Sequence, residues 1–344
     1  MQLLERSPNS FDLLGFGEVM LRLTPPDKER LAVSESFEKT AGGSELNVMC
    51  GAAALGLRTG IITSLPDNPI GQFVKNRIRF AGVSDDHLLL SNAPNARLGV
   101  YYYEMGAHPR KSSVVYDRAD SAFTQMRIGD IPGDPFQNCR AFLVSGITLA
   151  LGETPQKTAL ELIEGFHQKG ARIAFDVNYR AALWSEEKAL KAIKKLLPKV
   201  DFLFVSEETS RRMMGRKGSP EEIARGYHEE FGCSLIAMTM RQVLSPTRHG
   251  WDSMIYDADA KAVYREAPYT DIEVVDRIGS GDAYLSGVLG AYLQGMGCEK
   301  ALKTGNAMAA VKNTVMGDMP VSDWREINSI IAGHEGQLQS EMNR

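Results

Sequence analysis

Ile278-Gly279-Ser280-Gly281-Asp282-Ala283, introduced by Val275-Asp276-Arg277, decides how the rest of the chain reads. Two glycines flank a serine, an aspartate follows at once, and an amphipathic helical pattern runs from Ala283 to Leu293. A helix start of this kind holds anions, because its first N–H groups lack partners inside the helix and lie at the positive end of the helix dipole. Glycine lets a phosphate approach the backbone without a Cβ in the way. Asp282 is the unusual member. A carboxylate in a phosphate cradle repels the phosphate, so its presence needs a chemical reason. Accepting the proton of a hydroxyl that attacks that phosphate is such a reason. The same residues also read as an ordinary helix N-cap after a flexible turn, and the remainder of the chain has to choose between the two.

Outward from that stretch, short apolar runs alternate with longer helical patterns. Strands are expected at Phe11–Gly17, Thr59–Thr63, Ala141–Ser145, Arg172–Asp176, Phe202–Val205 and Leu235–Thr239. Helices are expected at Leu46–Leu55, Gly71–Phe80, Pro155–Gln168, Glu186–Leu197, Pro220–Phe231 and Ala301–Val315. Fully apolar strands separated by helices predict an α/β fold with a mostly parallel sheet covered on both faces, and ligands bind beyond the carboxyl ends of such strands. One segment breaks the rhythm. Arg97–Glu104 and Ser112–Tyr116 read as a hairpin turning through Met105–Lys111, and Leu21–Thr24 as a further extended piece. A small β-lid inserted into the α/β core accounts for them; an antiparallel edge on the main sheet is the alternative. The expected division is an α/β core of residues 12–20, 41–96 and 125–333, a β-lid of residues 21–40 and 97–124, and a frayed tail of residues 334–344.

Bulk properties narrow the function. The chain has 344 residues, 43% hydrophobic and 24% charged, with a formal net charge of −4. That balance is ordinary for a soluble domain and offers no basic surplus for nucleic acid. No run of apolar residues is long enough for a membrane span, and Met1–Asn9 lacks the apolar core of a signal peptide. Cys50, Cys139, Cys233 and Cys298 are widely spaced, with no Cys-x-x-Cys. They read as reduced thiols of a cytoplasmic protein rather than a zinc site or disulfide framework.

A second constellation stands near the N-terminus: Ala41-Gly42-Gly43-Ser44-Glu45-Leu46-Asn47. A double glycine at a helix start lets a ligand come close, and Asn47, one turn in, can donate to and accept from sugar hydroxyls. The same stretch also reads as a Gly-rich turn with Ser44 as the N-cap. Taken in order, Gly-Gly with Asn early, a β insertion, and Asp-x-x-Gly-x-Gly-Asp late, the chain resembles the ribokinase-like sugar kinases of the PfkB family from about Asp12 to Ile330. Three stretches resemble its 2-keto-3-deoxygluconate kinases in particular: Gly17–Leu23, Asp176–Trp184 and Asp276–Asp282.

The resemblance implies a three-layer sandwich and a kinase that uses ATP and Mg2+. It makes Asp282 the catalytic base, of ordinary pKa and accepting its proton late, and the Gly279, Ser280 and Gly281 amides the anion hole. It makes Asp276 an organiser of the loop with a monovalent cation such as K+ nearby, and it puts Gly42, Gly43 and Asn47 on the sugar. Tyr101 and Tyr103, two apart in a strand, face one side and can close over a substrate, while Tyr102 faces the other. Arg180, just past a strand end, suits a substrate carboxylate because its planar fork binds two oxygens; a structural salt bridge with Asp176 or Asp282 is the alternative. The chain departs from the family in two places. Ser206-Glu207-Glu208-Thr209 has Thr209 where relatives carry a magnesium-organising glutamate, leaving Glu208 as the substitute. Thr239-Met240-Arg241-Gln242 lacks the family's glycines, leaving the Thr239 and Arg241 side chains for the nucleotide phosphates and Asn306 for the purine.

The expected activity is ATP-dependent phosphorylation of the terminal 6-hydroxyl of 2-keto-3-deoxy-D-gluconate. Alternatives are a fructokinase, a kinase of the deoxygalactonate epimer or of ribose, and a non-catalytic sugar-binding regulator on the same fold. The expected partners are the small sugar acid, ATP, and a second copy of the chain meeting it through the tyrosine-rich lid.

Overall fold

The computed structural model describes Glu5 and residues 10–137, 139–245 and 247–336. Its strands are β1 (Leu13–Phe16), β2 (Met20–Thr24), β3 (Glu38–Gly42), β4 (Thr59–Pro66), β5 (Leu88–Ser91), β6 (Val100–Glu104) and β7 (Ser113–Asp117). They continue with β8 (Ala141–Ser145), β9 (Arg172–Asp176), β10 (Phe202–Ser206), β11 (Leu235–Ser245), β12 (Arg248–Asp257), β13 (Ala262–Arg265) and β14 (Tyr269–Glu273). The main sheet runs β5-β4-β1-β8-β9-β10-β11-β12-β13, with β14 beside β12. From β5 to β11 neighbours are parallel, and β12, β13 and β14 add antiparallel pairings.

The apolar runs dictate this layering. Successive side chains on a strand face opposite ways. Phe202 and Phe204 of β10 enter the core on one side of the sheet, Leu203 and Val205 the core on the other; Ala141 and Leu143 of β8 divide from Phe142 and Val144 in the same manner. Helices Glu153–Gln168, Glu186–Leu196 and Pro220–Phe231 cover one face with apolar stripes. Helices Ser44–Ala54, Ser280–Leu293 and Gly297–Asn313 cover the other. The Ser280 helix is buried nearly all round rather than amphipathic. Small residues permit that crowding: a Cβ on Gly287 would lie 2.7 Å from the Gly305 Cα, and one on Gly51 would lie 2.3 Å from Ser286 Oγ. Close packing sets the Ser44 and Ser280 helix starts side by side above the sheet. There the chain goes from β1 to β4 on one side and returns to β8 on the other, the switch point where α/β sheets bind ligands.

A second, four-stranded sheet has the order β3-β2-β6-β7, with β2 parallel to β6 and the other pairs antiparallel. Tyr101 and Tyr103 are buried on its inner face, while Tyr102 meets Phe37 edge-on across the outer face, where Val115 is exposed.

Element boundaries differ from the sequence expectation in a few places. Helix Ala301–Val315 runs instead from Gly297 to Asn313. Helix Trp324–His334, capped by Asp323 Oδ1 on the Glu326 N–H, carries regular structure through His334, the first residue of the expected frayed tail; residues 337–344 of that tail lie outside the described residues. No helix of the described residues is long and apolar enough to cross a membrane. All four cysteines are buried free thiols.

Candidate active site

Gly279 adopts φ 83°, the left-handed turn that starts helix Ser280–Leu293, and a Cβ there would lie 2.2 Å from the Asp318 carbonyl. Glycine is required on both counts. A Cβ on Gly281 meets nothing within 4 Å, so the backbone there is open to a ligand. The N–H groups of Gly279, Gly281 and Asp282 find no acceptor among the described residues. The Ser280 N–H and hydroxyl both turn back to donate to the Arg277 carbonyl, at 3.4 and 3.0 Å, so the Ser280 amide expected in the anion hole is spent there and the Asp282 amide stands in its place. These features make an anion cradle.

Asp282 stands at its mouth. Ser44 Oγ donates to Asp282 Oδ1 at 2.9 Å and Asn47 Nδ2 donates to Oδ2 at 2.7 Å. Asn178 Nδ2 donates in turn to Ser44 Oγ at 3.0 Å. Both donors to Asp282 are neutral, and no ion pair holds it among the described residues. Burial pushes its carboxyl up to about 6, against the pull of Asn47, Ser44 and the Arg180 charge. This corrects the ordinary value expected from sequence. Asn47 Oδ1 is buried with no partner, an acceptor left over beside the carboxylate.

The end of β9 forms the facing wall. Asp176, its last residue, is pushed up to about 7 by burial and by the Asp282 charge, with Arg180 opposing. Arg180 is exposed and makes no ion pair among the described residues, so the alternative of a salt bridge to Asp176 or Asp282 is not met. Beneath, Glu45 accepts from Ser145 N–H at 2.9 Å, Ser145 Oγ at 2.7 Å and Thr148 Oγ1 at 2.7 Å, locking the Ser44 helix onto β8. A Cβ on Gly43 would lie 2.3 Å from the Glu18 carbonyl, so close approach of the two chain segments demands glycine there.

A second cluster adjoins the first. Arg22 on β2 reaches Asp318 at 2.5 Å and Asp276 at 2.6 Å, and its guanidinium lies 4.5 Å from the Tyr103 ring centroid. The Tyr101 hydroxyl donates to Asp318. A Cβ on Gly42 would lie 2.1 Å from Asp318 Oδ2. Asp276 also accepts from the Ile278 N–H at 3.0 Å and the Gly317 N–H at 3.1 Å. Tyr101, Tyr103, Gly42 and Asp276, read from sequence as separate ligand contacts, are thus brought together around one buried arginine.

The residues read from sequence for the nucleotide are less closely gathered. Thr239 pairs with Ser206 at the carboxyl end of β10. β11 continues past it to Ser245 along β12, since no glycine turns the chain. The Arg241 side chain lies outside the described residues. Asn306 is 2% exposed; its Oδ1 accepts from Trp251 Nε1 at 3.1 Å and Ser253 Oγ at 2.6 Å, and its Nδ2 donates to Glu266 at 2.6 Å. Glu208 is 79% exposed and paired with Arg212 at 3.2 Å. No group of three His, Cys, Asp or Glu side chains gathers to hold a metal among the described residues.

Sequence reasoning left out Ser44 as a carboxylate partner, Asn178, Arg22 and Asp318. Ser44 and Asn178 lay within quoted motifs; Asp318, in the turn after helix Gly297–Asn313, carried no pattern at all.

The chain resembles known proteins along nearly its whole length. The model of the pfkB family of carbohydrate kinases matches residues 11–325. A 2-dehydro-3-deoxygalactonokinase of Haloferax volcanii is 36% identical over 95% of this chain and 98% of its own length. A 2-dehydro-3-deoxygluconokinase of Bacillus subtilis is 27% identical over 92% and 93%. The crystal structure of a 2-dehydro-3-deoxygluconokinase of Thermotoga maritima matches with a TM-score of 0.88 and 31% identity, covering 94% of this chain and 99% of that one.

Proposed function

Because the chain belongs to the pfkB family of carbohydrate kinases, we propose that it transfers the γ-phosphoryl group of ATP to the terminal 6-hydroxyl of 2-keto-3-deoxy-D-gluconate. The observation that carries this reading is Asp282, held by neutral donors alone at the mouth of unpartnered N–H groups. The substrate hydroxyl donates to Asp282, which accepts its proton as the new O–P bond forms. Phosphoryl transfer has a loose transition state, so the proton moves late and a base near pKa 6 suffices. The Gly279 and Gly281 amides receive the charge on the transferring group, a type of contact contributing about 3–4 kcal/mol per donor. Asn47 Oδ1 takes a sugar hydroxyl, and unpaired Arg180 takes the substrate carboxylate.

The unpartnered amides suit a nucleotide phosphate. Bound Mg2+ would supply positive charge against the phosphates. Glu208, exposed just beyond β10, is the residue that would hold it in this reading. Thr239 and Arg241 belong to the nucleotide side in this reading, whereas the Asn306 amide, taken up by Trp251, Ser253 and Glu266, is a support behind it and not the purine contact expected from sequence. The small sheet covers the sugar and excludes water, and its outer face with Val115 exposed meets a second copy of the chain in the cytoplasm.

A second reading, the 2-keto-3-deoxygalactonate epimer as substrate, is favoured by the 36% identity to the Haloferax kinase. An ADP-release assay over both epimers, fructose and ribose tests the proposal. Turnover confined to the sugar acids supports it, with kcat/KM choosing the epimer. Equal turnover of fructose, or none on any sugar, overturns it.

A further inference from the structure

The loop that carries the cradle is braced by a cation belonging to the chain itself. Lys312, near the end of helix Gly297–Asn313, is 3% exposed. Its ammonium donates to the Asp276 and Val315 carbonyls, each at 3.1 Å. The Asp276 end of the loop is stitched to the same helix end by Val275 N–H and Asp276 N–H, which donate to the Asn313 carbonyl at 2.8 and 3.1 Å. Gly317 N–H ties the following turn to the Asp276 carboxylate at 3.1 Å. Lys312 thus sits at the junction of the two segments that meet behind Gly279.

The resemblance to sugar kinases implies a monovalent cation near Asp276, but the residues present do not fit one. The Asp276 and Val315 carbonyls already accept from an ammonium. Two buried cations already serve the carboxylates here: Arg22 pairs with Asp276 and Asp318, and the Lys312 ammonium lies beside them. A potassium ion at those carbonyls would have to share them with a buried ammonium, a like-charge contact that protein interiors disfavour strongly. Burial pulls the Lys312 ammonium below its usual range, and the Asp276, Asp318 and Asp282 carboxylates pull it back against Arg22.

We infer that the Lys312 ammonium replaces a monovalent cation in this chain, bracing the loop from Asp276 to Gly279 so that the cradle keeps its shape without potassium. Lys312 is a positioning residue: it acts on the cradle through backbone carbonyls. The inference rests on the reading of Gly279–Asp282 as a phosphoryl cradle, and part of its test needs no turnover.

Crystals of the wild-type protein soaked in rubidium, a heavy stand-in for potassium, should give no anomalous peak at the Asp276 and Val315 carbonyls. Unfolding temperature and kcat should be the same in potassium and in tetramethylammonium chloride. In Lys312→Met the ammonium is gone and the stem kept. There kcat should fall about 100-fold, the loss typical of a displacement of about 1 Å at a reacting centre, with the KM for the sugar acid unchanged. Potassium or ammonium ions should restore much of that loss, raise the variant's unfolding temperature and give a rubidium peak. A rubidium peak in the wild type, or potassium activation of the wild type, overturns the inference even if the variant fails to fold. A variant as active as wild type in tetramethylammonium also overturns it. Failure of the kinase reading would appear as no turnover on any sugar, an outcome the rubidium and unfolding measurements do not depend on.

Discussion

Asp282 and Asp318 lie on either side of Gly279, and the fold holds them in opposite ways. Asp318 is 3% exposed, clamped by Arg22 at 2.5 Å and by the Tyr101 hydroxyl. Asp282 receives only a serine hydroxyl and an asparagine amide. Burial raises both carboxyls above the usual carboxylate range; at Asp318 the Arg22 cation opposes that rise and fixes the side chain as architecture. Neutral donors in a desolvated place leave Asp282 able to gain and lose a proton near physiological pH. Chemistry is assigned by the partner, since the residue type is the same.

The sharpest way to break that contrast is Asp282→Asn. Losing a positioned base should lower kcat by about 10²–10⁴-fold with KM for the sugar acid nearly unchanged. Normal turnover in steady-state assays would remove Asp282 from the chemistry. Arg22→Met strikes the other side. It leaves Asp276 and Asp318 buried without their cation, and urea unfolding should show a loss of about 3–5 kcal/mol. A variant as stable as the parent would mean the clamp is not structural. Arg180→Ala should weaken a sugar acid by about 1.5–3 kcal/mol, the range for a hydrogen bond to a charged group, and leave a neutral ketose unaffected. Equal losses in KM for both would place Arg180 elsewhere.

The smallest expected effect concerns pH. Asp282 must be ionised to accept a proton, and its carboxyl sits at about 6. The kcat/KM profile should therefore fall on the acid side with a midpoint near that value, and not near the usual carboxylate range. The Arg180 charge lowers both Asp282 and Asp176, so Arg180→Ala should move this limb to higher pH. Linkage gives a companion sign. A carboxyl raised in the fold binds its proton more tightly than in the unfolded chain, so its contribution to stability falls as pH rises from about 4 to 6. The same holds up to about 7 for Asp176. Thermal unfolding of wild type against Asp282→Asn over that range would measure it.

Much of the scaffold was legible because buried parallel strands are apolar on both faces: Phe202-Leu203-Phe204-Val205 has no other comfortable place. Antiparallel β12, β13 and β14 mix polar and apolar residues and left no such signal. Within the site, Asp282 and Asn47 stood out in the sequence because glycines mark each helix start, and the family resemblance gave each a role; the hydrogen bond between them carried no signal. The placing of Tyr101 and Tyr103 on one face followed from strand period, but what they touch did not. Arg22 and Asp318 stand 296 positions apart, and nothing local marks either as a partner. Ser44 was read as a cap, whereas Gly43 fills that position and the Ser44 hydroxyl is spent on Asp282. Asn306 occupies a helix that sequence located correctly in outline, yet Trp251 and Ser253 turn its amide inward. Period tells a side chain's direction; long-range pairing tells its occupation.

Asp318 is gripped from β2 by Arg22 and from β6 by Tyr101, while its own carbonyl backs onto Gly279. The four-stranded sheet and the Gly279 turn are therefore geared through a single residue. A graft of a relative's four-stranded sheet onto this core must carry the Met316–Met319 turn along with it, because the three pieces form one inheritable unit.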